Sequence, residues 1–219
     1  MTRSEPKCNI CGSTKFSFGP GNRLSRSALE PLCTNCRSLE RTRISHKILC
    51  QVAKKTDLKN SKLLICGEDT GLEKSWFASS FSLPRSDLEL RLLTMPSTSF
   101  DFILCVNVLQ DVTDMELVLS NLGQRLSPTG MIFVMYQNPV LRSKTEEWGS
   151  PQPQRGGARR AIGRDFEARY AKIFPELLAF QVSTTDPVTQ DEDIAYLITK
   201  NPIWLEQAFN LSLDVRLMD

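Results

Sequence analysis

Hydrophobic and polar positions follow two rhythms along this chain. Over residues 37–56, Leu39, Ile44, Ile48, Leu49 and Val52 recur at helical spacing with charges on the opposite face, predicting an amphipathic helix. The polar stretch Asp57–Ser61 then makes a seam. Beyond it, short apolar runs alternate with helical patterns. Lys62–Cys66, ending in Gly67, reads as a buried strand, Gly71–Ser79 as one or two helical turns, and Leu88–Leu93 as an alternating strand-like run. Phe100–Val106 is a strong strand, Asp114–Leu126 a helix, Ser127–Gly130 a turn and Met131–Met135 a buried strand. Ser143–Ala161 reads as a loop, Asp165–Leu178 as a helix, and Ala179–Thr185 with Ile194–Lys200 as a closing pair of strands. Such alternation predicts an α/β domain on a mainly parallel sheet over residues 62–200, followed by a tail at 201–219.

The segment before the seam carries different chemistry. Cys8-Asn-Ile-Cys11 and Cys33-Thr-Asn-Cys36 are two Cys-x-x-Cys knuckles with twenty-one residues between them. A two-residue spacer lets both thiolates of a knuckle reach one ion, and two knuckles complete a four-thiolate zinc shell. Four protein ligands leave no open position, so the expected Zn2+ is structural. The competing reading is a redox pair with two spare thiols. Residues 1–56 thus form an expected zinc module of treble-clef type, with the second knuckle at the N-terminus of the helix, whose dipole would help stabilise Cys33 and Cys36. His46, the single histidine, lies ten residues past Cys36 and reads as a packing residue.

Charge changes the picture further. Residues 1–60 hold 12 Lys/Arg against 4 Asp/Glu, and the remainder 15 against 21. A basic module ahead of an acidic domain suits either intramolecular docking or a polyanion such as nucleic acid. Phe16 and Phe18 are few aromatics for base stacking, so docking is favoured. No apolar run approaches a membrane span, and Met1–Lys7 lacks the apolar stretch of a signal peptide. Cys50, Cys66 and Cys105 sit among apolar neighbours as free thiols, and the expected compartment is the cytoplasm.

Three stretches together resemble class I S-adenosylmethionine-dependent methyltransferases, and within them a group with an N-terminal four-cysteine finger. The first is Cys33-Thr-Asn-Cys36-Arg37-Ser38-Leu39-Glu40-Arg41-Thr42-Arg43, where the knuckle runs into Ser-Leu-Glu-Arg-x-Arg. The second runs from Thr94-Met-Pro96 through Phe100-Asp101 to Asn107-Val108-Leu109-Gln110-Asp111-Val112. The third is Leu122-Gly-Gln-Arg-Leu126-Ser-Pro128-Thr-Gly130 leading into Met-Ile-Phe-Val. Weaker echoes lie at Thr145-Glu146-Glu147 and Arg160–Phe166. The resemblance implies a Rossmann-like sheet, S-adenosylmethionine as cofactor, and contacts to it from Gly67, Glu68, Asp87, Asn107, Val108 and Leu109. In open α/β sheets ligands sit beyond the carboxyl ends of the strands, where Gly67, Asn107, Tyr136 and Gln137 fall.

The chain departs from the family pattern in three places. Its first loop reads Gly67-Glu68-Asp69-Thr70-Gly71, without a Gly-x-Gly-x-Gly series. Only 34 positions separate Gly67 from Asp101, tight for two further strands with helical crossovers. Asn107, Gln110 and Asp111 stand where His, Glu and His are usual. Methyl transfer requires mainly alignment, and a general base only for a protonated acceptor, with Asp111 and Tyr136 candidates by position. The expected activity is methylation of a small molecule or glycan; the alternative is a non-catalytic, partner-binding scaffold with a zinc finger.

Overall fold

The computed structural model describes residues 5–67, 72–96, 99–136, 141–201 and 213–218. The N-terminal module carries a small hairpin, β1 (Phe16–Ser17) and β2 (Leu32–Cys33), followed by α1 (Glu40–Lys55). A seven-stranded mixed sheet follows. Its strands are β3 (Lys62–Gly67), β4 (Ser79–Leu83), β5 (Phe100–Val106), β6 (Leu126–Met135), β9 (Leu178–Thr185), β10 (Glu192–Thr199) and β11 (Asp214–Leu217), in the order β11-β9-β10-β6-β5-β3-β4. β4, β3, β5 and β6 run parallel, whereas β10 pairs antiparallel with both β6 and β9. A separate antiparallel hairpin is formed by β7 (Glu146–Gln152) and β8 (Ala158–Ala161). No described helix is long and apolar enough to cross a membrane.

Each face of the sheet has its own core. On one side α2 (Leu88–Thr94), α3 (Met115–Gln124) and α4 (Glu167–Ile173) cover Leu64, Ile103, Cys105, Ile132, Val134 and Ile198. On the other, α1 lays Ile44, Ile48, Leu49 and Val52 against Leu63, Ile65, Leu104, Phe133, Phe180 and Leu197. Four fully buried aliphatic side chains contribute on the order of 6–12 kcal/mol. The basic helix therefore docks on its own domain, with hydrophobic burial as the main attraction.

Several elements differ from the sequence expectation. α1 starts at Glu40 rather than residue 37, because Arg37 is left-handed (φ 61°) and Leu39 is extended. Leu88–Leu93 is helical: Leu88 and Leu92, four apart, are buried while Leu90 and Leu93 face solvent. The expected turn at Ser127–Gly130 is taken up as an irregularity within β6, since Phe100 pairs with Leu126 but Phe102 with Met131. The loop expected over Ser143–Ala161 contains the β7–β8 hairpin: β7 is polar and mostly exposed, and β8, Ala-Arg-Arg-Ala, is largely buried but too short and mixed to show a hydrophobic alternation. The segment expected as a helix from Asp165 opens with a 3-10 turn before α4. Part of the tail, Asp214–Leu217, adds β11 beside β9. Among its described residues, the tight segment between β3 and β5 holds one strand, β4, which forms the edge of the sheet.

Candidate functional site

The four knuckle cysteines converge. Their Sγ atoms all lie within 4.8 Å of one another, with Cys8–Cys36 at 3.7 Å and Cys11–Cys33 at 3.5 Å. A tetrahedral zinc–thiolate shell with bonds of about 2.3 Å has S···S edges of about 3.8 Å. Each knuckle closes in the same way. Gly12 N–H donates to Cys8 O at 2.9 Å and Arg37 N–H to Cys33 O at 3.0 Å, with both residues following the second cysteine in the left-handed region. Ser38 Oγ accepts from Cys36 Sγ at 3.1 Å. A hydrogen bond from the Asn35 side chain lowers the Cys11 thiol to about 6, while burial pushes Cys36 up to about 11. A divalent cation at the centre would hold all four as thiolates. Because α1 begins only at Glu40, knuckle amides and Ser38, rather than the first helical turn, stand next to the sulfurs. His46 is buried, with Nε2 3.4 Å from Cys50 Sγ, and is not among the converging ligands.

The Ser38–Arg43 stretch joins this cluster to the domain. Glu40 accepts two 2.8 Å bonds from Arg23. Arg41 Nε donates to Asp193 Oδ2 and its Nη1 to Asn107 Oδ1, both at 3.1 Å. Arg43, fully buried, donates to both carboxylate oxygens of the equally buried Asp186 at 2.7 and 2.9 Å, and to Ser38 O at 2.9 Å. Asp186 opens the β9–β10 turn, whose Asp191 also accepts from the Arg26 and Ser27 amides of the module.

The sheet reverses its order at β3 and β5: the chain moves outward from β3 to β4, then returns to the other side. Ligands bind at such a switch point, beyond the carboxyl ends of the strands. Asn107 stands there in a left-handed conformation (φ 54°), its N–H donating to Met135 O at 2.8 Å and its carbonyl accepting from Gln110 Nε2. A cavity of about 440 Å3 opens beside it, lined by Asn107, Arg41, Asp193, Leu39, Arg26 and Leu141 among others. Burial raises the Asp193 carboxyl above its ordinary value, against the opposing pull of Arg41.

The other expected cofactor residues are disposed differently. Gly67 has φ 89°, and a Cβ there would overlap Val108 Cγ1. The glycine is thus required for the packing of β3 against the turn after β5. Val108 and Leu109 are each 1% exposed and belong to the core. Asp87 lines neither this cavity nor a second one of about 450 Å3 between Arg85, Asp111, Thr113 and Arg159; its carboxylate takes bonds from Ser86 and Arg91. Glu68 and Gln137 lie outside the described residues. Of the candidate bases, Asp111 is ion-paired with Arg85. Tyr136 is buried, stacked on Tyr196 at 5.4 Å, with its phenol pushed well up by burial. The switch point and its wall fit a nucleoside-sized ligand with a charged amino-acid end through Asn107, Arg41 and Asp193.

Sequence reasoning missed three residues at this site. Arg41 lies in the quoted motif, but its reach to β5 depends on the docking angle of α1. Asp193 showed itself only as an acid directly before an apolar strand. Arg160, 6% exposed, donates to the carbonyls of Leu109, Val112 and Thr113 at 2.7–3.0 Å and so fixes the loop after β5. The two weaker motif echoes meet each other: Thr145 donates its N–H and hydroxyl to Asp165 at 2.7 and 2.8 Å.

Gly67→Ala is expected to cost about 1–3 kcal/mol in urea denaturation, combining left-handed strain with the Val108 overlap. Adding Val108→Ala to relieve the overlap should restore only the steric part beyond its own cavity cost. A neutral Gly67→Ala would refute this packing role. The same overlap makes bulky substitution at residue 67 a poor probe of ligand binding alone.

The sheet order, with its antiparallel β10 beyond four parallel strands, is that of the Rossmann-like class I methyltransferase fold. The family described as a methyltransferase domain matches residues 19–170, and the chain belongs to it. Among solved structures it is similar to the N-methyltransferase NodS from Bradyrhizobium japonicum, determined with S-adenosyl-L-homocysteine (14% identity, 74% of this chain and 87% of that one, TM-score 0.43). It is also similar to DesVI from Streptomyces venezuelae (12%, 72% and 91%, TM-score 0.45) and to the Haloferax volcanii putative methyltransferase structure solved with the Trm112 activator (11%, 73% and 90%, TM-score 0.46). No curated protein matches the chain.

Proposed function

We propose that this protein transfers a methyl group from S-adenosylmethionine to a small, polar acceptor, a small molecule or a glycan, with a structural zinc ion held by Cys8, Cys11, Cys33 and Cys36. Membership of the methyltransferase-domain family supports the reaction class. The observation that carries the site is the cavity at the switch point, closed on one side by α1 and on the other by Asn107 and Asp193. The cofactor supplies a sulfonium-activated methyl group, so the chain's tasks are orientation and exclusion of water. Asn107 presents its backbone turn, Arg41 and Asp193 form a polar wall, and Leu39 and Leu141 form an apolar one. We place the protein in the cytoplasm, in keeping with seven free cysteines, four of them clustered.

Titration of zinc-loaded protein with S-adenosyl-L-homocysteine should give saturable, one-to-one binding in the micromolar range, read by calorimetry. A second reading, a non-catalytic scaffold, draws support from Val108 and Leu109, which are sealed in the core beside Gly67. Folded, zinc-loaded protein showing no saturation at millimolar ligand would establish that reading in place of the first.

A further inference from the structure

We infer that Arg41, supplied by the zinc module, is the carboxylate anchor of the ligand site. The inference rests on the cofactor reading above. Arg41 enters from α1, outside the sheet that forms the rest of the switch point, and reaches the end of β5. Two of its three nitrogens are fixed: Nε by Asp193 Oδ2 and Nη1 by Asn107 Oδ1, both at 3.1 Å. Nη2 has no hydrogen-bond partner among the described residues, and the side chain lines the cavity with about a quarter of its surface exposed. A guanidinium held at two nitrogens offers the remaining donors in a fixed plane, the geometry that suits a carboxylate.

Its surroundings define the ligand further. Arg23 is engaged by Glu40, and Arg26 pairs with Asp191, so neither competes for the anion on equal terms. Arg41 is itself paired with Asp193, and a bare anion would meet that carboxylate as well. The arrangement favours a zwitterion, whose carboxylate lies on Arg41 while its ammonium lies toward Asp193. The amino-acid end of S-adenosylmethionine or its product has this character. The zinc module then acts as part of the binding wall: the chain from Cys36 through Ser38 to Arg41 spans six residues of motif and sets where the guanidinium stands.

The test compares two probes, S-adenosyl-L-homocysteine and 5′-methylthioadenosine, which lacks the amino acid. Wild type should bind the first about ten- to a hundredfold more tightly than the second, the range expected for a charge-assisted bond. Arg41→Ala should remove most of that preference while leaving 5′-methylthioadenosine binding within about twofold. Arg41→Lys should restore part of it, since charge is kept but the planar fork is lost. A structural collapse of the wall would weaken both probes alike, and circular dichroism with zinc content would register it. If wild type prefers the amino-acid probe and Arg41→Ala keeps that preference, or if it weakens both probes in proportion, the anchor is overturned while the cofactor reading stands. If wild type binds neither probe, both fall.

Discussion

Cys33→Ser is expected to reduce bound zinc from about one ion per chain to background and to unfold the N-terminal module. Cys33 is fully buried and sits at once in β2, in the second knuckle and in the sulfur cluster. Serine keeps the volume but supplies a weak zinc ligand. Structural zinc contributes about 10–16 kcal/mol in isolated finger peptides. Even about 5 kcal/mol lost here would lower the melting temperature by about 10–20 °C for a chain of this size. The module is only about fifty residues, and its hairpin has strands of two residues each, too little core to fold without a staple. Elemental analysis of protein purified without added metal, together with thermal unfolding, checks this. Wild type that is folded, reduced and free of metal would disprove the zinc assignment.

The second large effect is expected at Arg43 and Asp186. Both are completely buried, and together they make two short bonds between the helix and the β9–β10 turn. Arg43→Ala strands a buried carboxylate and should cost about 3–5 kcal/mol in urea denaturation. Asp186→Ala should cost at least as much, because Thr189 N–H and Oγ also donate to that carboxylate at 2.9 Å. The double variant should be little worse than either single one, since the second deletion removes the charge the first left unpaired. Strictly additive losses would show that the two residues act separately. The ion pair fixes the register of α1 on the sheet, whereas the attraction comes from Ile44, Ile48, Leu49 and Val52; buried pairs seldom add net stability over apolar replacements. Lys47 Nζ to Thr185 O and Arg41 to Asp193 add further polar points along the same side of the helix.

The sequence by itself determined whatever depends on local spacing. The two Cys-x-x-Cys pairs, the helical stripe of α1 and the apolar runs of β3 and β5 follow from periods of two, three and four residues, and the structure contains each of them. The family's sheet was legible for the same reason, since strand, turn and helix followed in order. Tertiary structure decided what depends on long-range approach. Polar β7 and β8 pair with each other, and Arg160 of β8 reaches carbonyls 47 to 51 residues away, so no local period revealed the hairpin. Leu88–Leu93 fits a strand or a helix in isolation; as a helix it buries Leu88 and Leu92 and lets Glu89 cap the Thr113 and Asp114 amides. Gly67 is consistent with a ligand approach in sequence, but Val108 lies against it only once β3 and β5 are side by side. Arg41 and Asp193 stand 152 residues apart, and only the seating of α1 across the sheet brings their opposite charges to one cavity at the end of β5.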